Sequence, residues 1–148
     1  MKRPKIIDGG LAIDNRGEVR FVNDFDFKDV KRFYQVENFS KNTIRAFHGH
    51  LKEEKFIYLT SGSVLIALVK LNRVKNPNKS AKVYRFVLSS KKPQVLYVPG
   101  KYANGFKVLE NGTKLIIFST SSLKQSLRDD FRYPYDYWGK DIWKVENR

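Results

Sequence analysis

The rhythm of its turns constrains this chain more than any other feature. Short runs rich in β-branched and aromatic residues recur at roughly 8 to 12 residue spacing, each closed by Gly, Asn, Ser or Pro. "GEVRFV" (17–22), "KRFYQVEN" (31–38) and "TIRAFHGH" (43–50) are such runs, parted by polar turns. "KFIYLTSGSVLIALVKL" (55–71) reads as two strands joined at Ser61-Gly62, and "KVYRFVLS" (82–89) and "QVLYVP" (94–99) follow. "GFKVLENGTKLIIFST" (105–120) folds back at Asn111-Gly112, a dipeptide that tolerates the positive φ of tight hairpins. Helical periodicity is nearly absent; only "DFDFKDVKR" (24–32) and the tail after 121 are expected to be briefly helical. With no linker, repeat or low-complexity tract, residues 1–148 predict a single all-β domain, a sandwich or small barrel.

Composition narrows the partners. The chain has no cysteine, which rules out disulfides and Cys-ligated metal and fits a reducing compartment. The N-terminus lacks the apolar run of a signal peptide, and "VLIALV" (64–69) is too short to cross a bilayer. A soluble, cytoplasmic protein with no membrane partner is expected. The formal charge of +14 makes nucleic acid the first candidate partner. Yet the charge is spread along the chain. Its densest stretch, "KLNRVKNPNKSAKVYR" (70–85), reads as a hairpin with its loop and carries no RNA-binding signature. The expectation is no nucleic acid, and an anionic small substrate that uses part of the charge.

"TIRAFHGHLKEEKF" (43–56) holds both histidines of the chain, His48 and His50. On a strand, residues i and i+2 share a face, so the two rings project together while Phe47 and Gly49 face the other way. A metal would take His48, His50 and Glu54, but no third histidine exists to complete the set. Acid–base chemistry asks for less: one imidazole near neutral pKa, oriented by a carboxylate, beside a cationic wall. The second reading is favoured, with neither metal nor cofactor. Glu53 and Glu54 are otherwise read as solvated charges at a strand end.

The order of these pieces resembles the small cupins that rework nucleotide-linked keto sugars, above all the dTDP-4-dehydrorhamnose 3,5-epimerases. "DNRGEVRFV", "VENFSKNTIRAFHGH", "GSVLIALVKLNRVKNPNKSAKVYRFVLS", "LYVPGKYANGF" and "DYWGKDIW" follow in the family's order, over roughly residues 12–143. The resemblance implies a cupin jelly-roll barrel, a homodimer, and removal and return of an acidic proton beside a sugar ketone. By position, His48 matches the family's base, Asp136 the carboxylate that orients it, and Lys55 the stabiliser of the enolate oxygen. Arg16 and Arg45 match the residues that hold the phosphates of a nucleotide-diphosphate sugar. Two positions depart from the pattern: the family's tyrosine acid falls at Phe118, and its later histidine at Asn104, which is retained here as a substrate contact. His-x-His itself resembles a sister group, the dTDP-sugar 3,4-ketoisomerases. There paired histidines serve one ring face, and Arg32 and Tyr34 would also meet the substrate. Trp138 and Trp143, with Tyr133, Tyr135 and Tyr137, are expected either to stack a base or sugar or to form a C-terminal aromatic cover or a subunit contact.

Overall fold

Alternation of apolar and polar side chains builds two five-stranded antiparallel sheets around one interior. The computed structural model describes residues 2–148. Its strands are β1 (Lys5–Asp8), β2 (Gly10–Asp14), β3 (Gly17–Phe21), β4 (Arg32–Glu37), β5 (Ile44–His50) and β6 (Lys55–Ser61). There follow β7 (Ser63–Lys70), β8 (Val83–Ser89), β9 (Gln94–Val98), β10 (Tyr102–Val108), β11 (Lys114–Ser119) and β12 (Phe131–Arg132). One short helix, α1 (Leu123–Leu127), lies between β11 and β12, and a 3-10 turn spans Lys140–Trp143. The sheets run β1-β9-β6-β11-β4 and β12-β5-β10-β7-β8, while β2 and β3 form a hairpin of their own. This is an all-β jelly roll. No helix among the described residues is long and apolar enough to cross a membrane.

The expected strands from 17 to 120 form where the alternation placed them. The expected turn at Ser61-Gly62 is built on Gly62, at φ 80°. A Cβ there would lie 2.0 Å from Thr113 Oγ1. That hydroxyl donates to the Glu110 carbonyl at 2.8 Å and accepts from Ser63 N at 3.1 Å, locking the β6–β7 turn against the β10–β11 turn. Residues 24–32 form no helix. Phe25 and Phe27 instead pack their rings on Phe118, and Phe25 also on Phe56, outside the first sheet. These ring-on-ring contacts, with Phe25 half-buried and Phe27 still exposed, outweigh the weak helical preference of "DFDFKDVKR". The tail after 121 is helical over α1, which Ser122 and Gln125 close with a reciprocal capping box, and again in the 3-10 turn at Lys140–Trp143.

Two apolar clusters split along the second sheet. Between the sheets lie Ile57, Leu59, Val64, Ile66, Leu68, Leu96, Phe106 and Leu115, all buried. On the outer face of β5, β7 and β10, Phe47, Leu65, Ala67 and Val69 pack under Tyr133, Trp138 and Trp143. Phe47 meets Trp138 edge-on at 4.9 Å between ring centres. The C-terminal aromatics are therefore a cover on the side of β5 opposite the histidines. They also pin the β7–β8 loop: Tyr133 Oη, Tyr137 Oη and Trp138 Nε1 donate to the carbonyls of Val74, Pro77 and Asn78.

Candidate active site

β5 carries both histidines, and an irregularity in its register decides which residues share a face. His50 pairs with Tyr102 and His48 with Asn104, but Phe106 pairs with Arg45. Three steps on β5 thus oppose two on β10, the signature of a bulge on β5. Strict alternation would put Arg45 on the side of Phe47 and Gly49. The bulge returns it to the interior face with His48 and His50. Gly105 permits this close approach, since a Cβ there would lie 2.4 Å from the Ala46 Cβ. Gly49 faces the other cluster, where a Cβ would meet Leu71 at 2.9 Å and Tyr133 at 3.1 Å.

The facing sheet supplies a polar row at the same end of the barrel. Ser119 pairs with Arg32 on β4 and with Lys55 on β6, so these three side chains line up across the interior face. The next row inward is Tyr34, Ile117 and Ile57. Lys55 is buried, and burial, ahead of the nearby Arg32, holds its ammonium below the usual lysine range, with Glu53 opposing. Among the described residues no carboxylate comes within ion-pair distance of it. Burial, reinforced by Glu53, pushes the Tyr34 phenol up to about 12, and the Arg32 guanidinium lies over its ring at 5.0 Å.

The two histidines occupy different surroundings. His48 is partly open, with 37% of its side chain exposed, and its Nδ1 stands 3.9 Å from Asp130 Oδ1. That is beyond hydrogen-bond range, so Asp130 acts on the ring through charge. Burial, then Lys55 and Arg132, holds His48 below the usual imidazole range, and Asp130 opposes them. Asn104 Nδ2 donates to the His48 carbonyl at 3.0 Å, bracing the strand that carries the ring; Asn104 sits mid-strand and not in a turn.

His50 is shut in, with 6% of its side chain exposed. Its Nδ1 donates to the Asp129 carbonyl and lies 3.1 Å from Glu53 Oε2. Glu53, read from sequence as a solvated charge, is buried at 2% exposure. Its carboxylate gathers donors from three elements: Arg32 Nη2 at 3.1 Å, Ser126 Oγ at 3.0 Å, and the Ser119 hydroxyl. The Asp129 carboxylate fixes the loop that carries Glu53, accepting from the backbone N–H of Leu51 (2.8 Å), Lys52 (2.9 Å) and Glu53 (2.9 Å). Glu54 turns away: Lys2 and the Tyr97 hydroxyl donate to it. His48, His50 and Glu54, the set that metal spacing would require, do not converge.

The remaining expected residues are placed as follows. Asp136 lies in the turn before Gly139, its carbonyl accepting from Gly139 N, and the carboxylate beside His48 is Asp130. Arg45 stays exposed at the face's outer end, its Nε donating to Asn38 Oδ1 at 2.6 Å. Arg16 sits at the tip of the β2–β3 hairpin, exposed and bound to Asp14 at 2.6 Å. Phe118 points out of the barrel into the aromatic patch with Phe25, Phe27 and Phe33, so no aromatic acid stands at that position. Sequence reasoning missed Glu53, Asp129, Asp130, Ser119 and Ser126. Only the Asp129-Asp130 pair offered a signal, as an acidic step just before an aromatic strand.

Comparison with known proteins gives the chain its relatives. The family model for dTDP-4-dehydrorhamnose 3,5-epimerase matches residues 8–133. The spore coat polysaccharide biosynthesis protein SpsL of Bacillus subtilis (strain 168) is 29% identical over 94 residues. That match covers 63% of this chain and 61% of the relative. Among solved structures, the dTDP-4-dehydrorhamnose 3,5-epimerase of Elizabethkingia anophelis NUHP1 superposes with a TM-score of 0.76 at 18% identity. It spans 98% of this chain and 83% of its own. The TDP-quinovose 3,4-ketoisomerase of Campylobacter jejuni superposes with a TM-score of 0.67 at 22% identity, over 93% of this chain and 98% of its own.

Proposed function

The chain belongs to the dTDP-4-dehydrorhamnose 3,5-epimerase family, and we propose that it is an isomerase that moves protons beside the ketone of a dTDP- or other nucleotide-linked 4-keto-6-deoxyhexose. One observation carries the reading: two imidazoles share one interior face, with a buried ammonium close enough to depress both. A proton beside a ketone is removable by imidazole when a preorganised cation takes the charge that develops on the oxygen. His48 is the base, with Asp130 as its charged neighbour, and Lys55 the group that holds the enolate oxygen. His50 is the second proton carrier. Tyr34, Arg32 and Asn104 line or brace the sugar site, and Arg45 and Arg16 meet the phosphates.

The protein works as a homodimer in the cytoplasm, in the making of deoxysugars for surface polysaccharide. Support for the dimer comes from the hairpin, which exposes Ile13 (70%) and Val19 (63%), and from the outer patch, which exposes Phe33 (70%). Apolar surface of this kind marks a contact between chains.

A second reading is 3,4-ketoisomerisation of the same substrate class. It is favoured by the His-x-His pair on a single face and by the outward turn of Phe118, since moving a proton between neighbouring carbons on one ring face needs no opposing acid. The test of both is incubation of the protein with dTDP-4-keto-6-deoxyglucose in heavy water, followed by proton NMR. Deuterium at C3 and C5 marks epimerisation; deuterium at C3 with the carbonyl moved to C3 marks ketoisomerisation. Tight nucleotide binding without exchange on any keto sugar sinks both.

A further inference from the structure

The family resemblance and the proposed chemistry give His50 a task but leave its environment unexplained. Its Nδ1 faces two oxygens, the Asp129 carbonyl and Glu53 Oε2. A carbonyl can only accept, so Nδ1 carries the hydrogen. In the neutral ring Nε2 is then a bare lone pair, and it is buried without a partner. An unsatisfied buried acceptor is costly, so it is rarely kept without a task. Burying the Glu53 carboxylate is dearer still unless every oxygen is met. Both oxygens are met, by Arg32, Ser119 and Ser126. The protein thus spends three side chains and a tied loop on one acid whose open flank is turned to the His50 ring.

We propose that Glu53 is a positioning residue: with the Asp129 carbonyl it fixes His50 as the Nδ1–H tautomer and presents Nε2 to the barrel interior as the atom that takes and returns a proton. When Nε2 accepts a proton from a substrate carbon, the electron pair of the broken C–H bond stays in the enolate and the ring becomes an imidazolium. Glu53 is the counter-charge for that cation. Return of the proton to carbon restores the neutral ring. Only this proton-transfer part rests on the function proposed above; the tautomer assignment stands on geometry. The charged groups around His50 come from every packed element: Glu53 and Lys55 from the β5–β6 turn and β6, Arg32 from β4, Asp129 from the segment before β12, and His48 on β5 itself. Burial and Lys55 hold the ring below the usual imidazole range, and Glu53 is the largest opposing influence.

The chain's two histidines make the test direct. In protein labelled with 15N-histidine, long-range 1H–15N spectra show two rings, and His48→Gln assigns them. The expected result is a His50 ring in the Nδ1–H form at neutral pH. A His50 ring protonated at Nε2 instead would overturn the proposal, and this measurement needs no variant of Glu53. In Glu53→Gln the charge is lost and the shape kept, so His50 should titrate at lower pH while His48 moves little; an unchanged His50 midpoint also overturns it. Deuterium exchange by Glu53→Gln should fall roughly ten- to a hundredfold in kcat with KM nearly unchanged, the scale of losing an outer partner that orients an imidazole. Glu53→Asp, which restores the charge, should recover the titration. If wild-type protein exchanges no keto sugar yet shows the expected tautomer and titration, the isomerase reading fails and the positioning role of Glu53 survives.

Discussion

Lys55→Met separates what the site needs from what the fold needs. The ammonium is buried at 7% exposure, with no carboxylate within ion-pair distance among the described residues. Its proton affinity in the fold lies below the unfolded value of 10.5, burial being the first cause. Folding therefore disfavours the charged form, and the penalty is fully present at every pH below the folded value. It fades as pH rises through the window between that value and 10.5. Met fills the same volume without the charge. Glu53 keeps Arg32, Ser119 and Ser126 as donors, so the substitution orphans no acid. Exchanging a buried ion for a well-packed apolar group stabilises by about 1–4 kcal/mol in comparable cases; the loss of attraction to Glu53 places this one near the lower end. At about 2–4 °C per kcal/mol for a chain of this size, Tm should rise by roughly 2–5 °C at pH 7. The gain should shrink as the melt is repeated towards pH 10. Catalysis should move the other way: losing one preorganised stabiliser of a developing oxyanion costs about 10²–10³ in kcat. Thermal melts and deuterium exchange on the same preparation check both halves. A lower Tm with undiminished exchange would show that Lys55 is a structural cation and that the enolate is held elsewhere.

His48→Gln should cut exchange at least about a hundredfold, the usual contribution of a positioned base, while Tm changes little because the ring is partly open. In wild-type protein the acid limb of kcat/KM should have its midpoint below 6.5, since burial, Lys55 and Arg132 disfavour the charged ring. Asp130→Asn removes the group that opposes them and should lower that midpoint further; a midpoint that rises instead refutes the assignment. Asp129→Ala strips the acceptor from three backbone N–H groups and should destabilise by about 3 kcal/mol or more, read by denaturant unfolding. Those bonds hold the Asp129 carboxyl below its usual range against the effect of burial. Its stabilising effect should accordingly be complete above about pH 4 and disappear as pH falls through the lowered value.

The strands were legible because each combines a period-two apolar pattern with turn chemistry that admits few alternatives, as at Gly62 and Asn111-Gly112. The partner strands of the histidines were not. His48 and His50 could be placed on one face from spacing alone, but Arg45 joins them only through a bulge, and a bulge is an event between two strands. The acids were misjudged for a related reason. Glu53 and Glu54 are adjacent and chemically alike, so one must point in and the other out, and nothing local says which. The donors that make burial of Glu53 tolerable come from Arg32, Ser119 and Ser126, 21, 66 and 73 residues away. Likewise Asp130 stands beside His48 because β12 pairs with β5, a contact set by a two-residue strand too short to show a period. Phe118 was misjudged too: flanked by Leu115, Ile116 and Ile117 it reads from sequence as core, but it alternates with the buried Leu115 and Ile117 and so falls on the outer face, in the aromatic patch.

That alternation bears on stereochemistry. Inverting a carbon requires a proton to leave from one ring face and arrive at the other, so epimerisation needs donors on both walls of the barrel. The β5 wall offers two imidazoles. Across from it the row Arg32, Ser119 and Lys55 offers a guanidinium engaged with Glu53, a hydroxyl that already donates to Glu53, and an ammonium assigned to the enolate. One row deeper stands Tyr34, whose phenol keeps its proton up to about 12. A phenol held that firmly is a poor base but can still give a proton to a strongly basic enolate carbon. Epimerisation in this chain therefore has to pass through Tyr34 or through water, whereas transfer between neighbouring carbons can be completed by His48 and His50 alone. The balance of groups on the two walls favours the one-face reaction, and the position of the carbonyl after exchange in heavy water decides it.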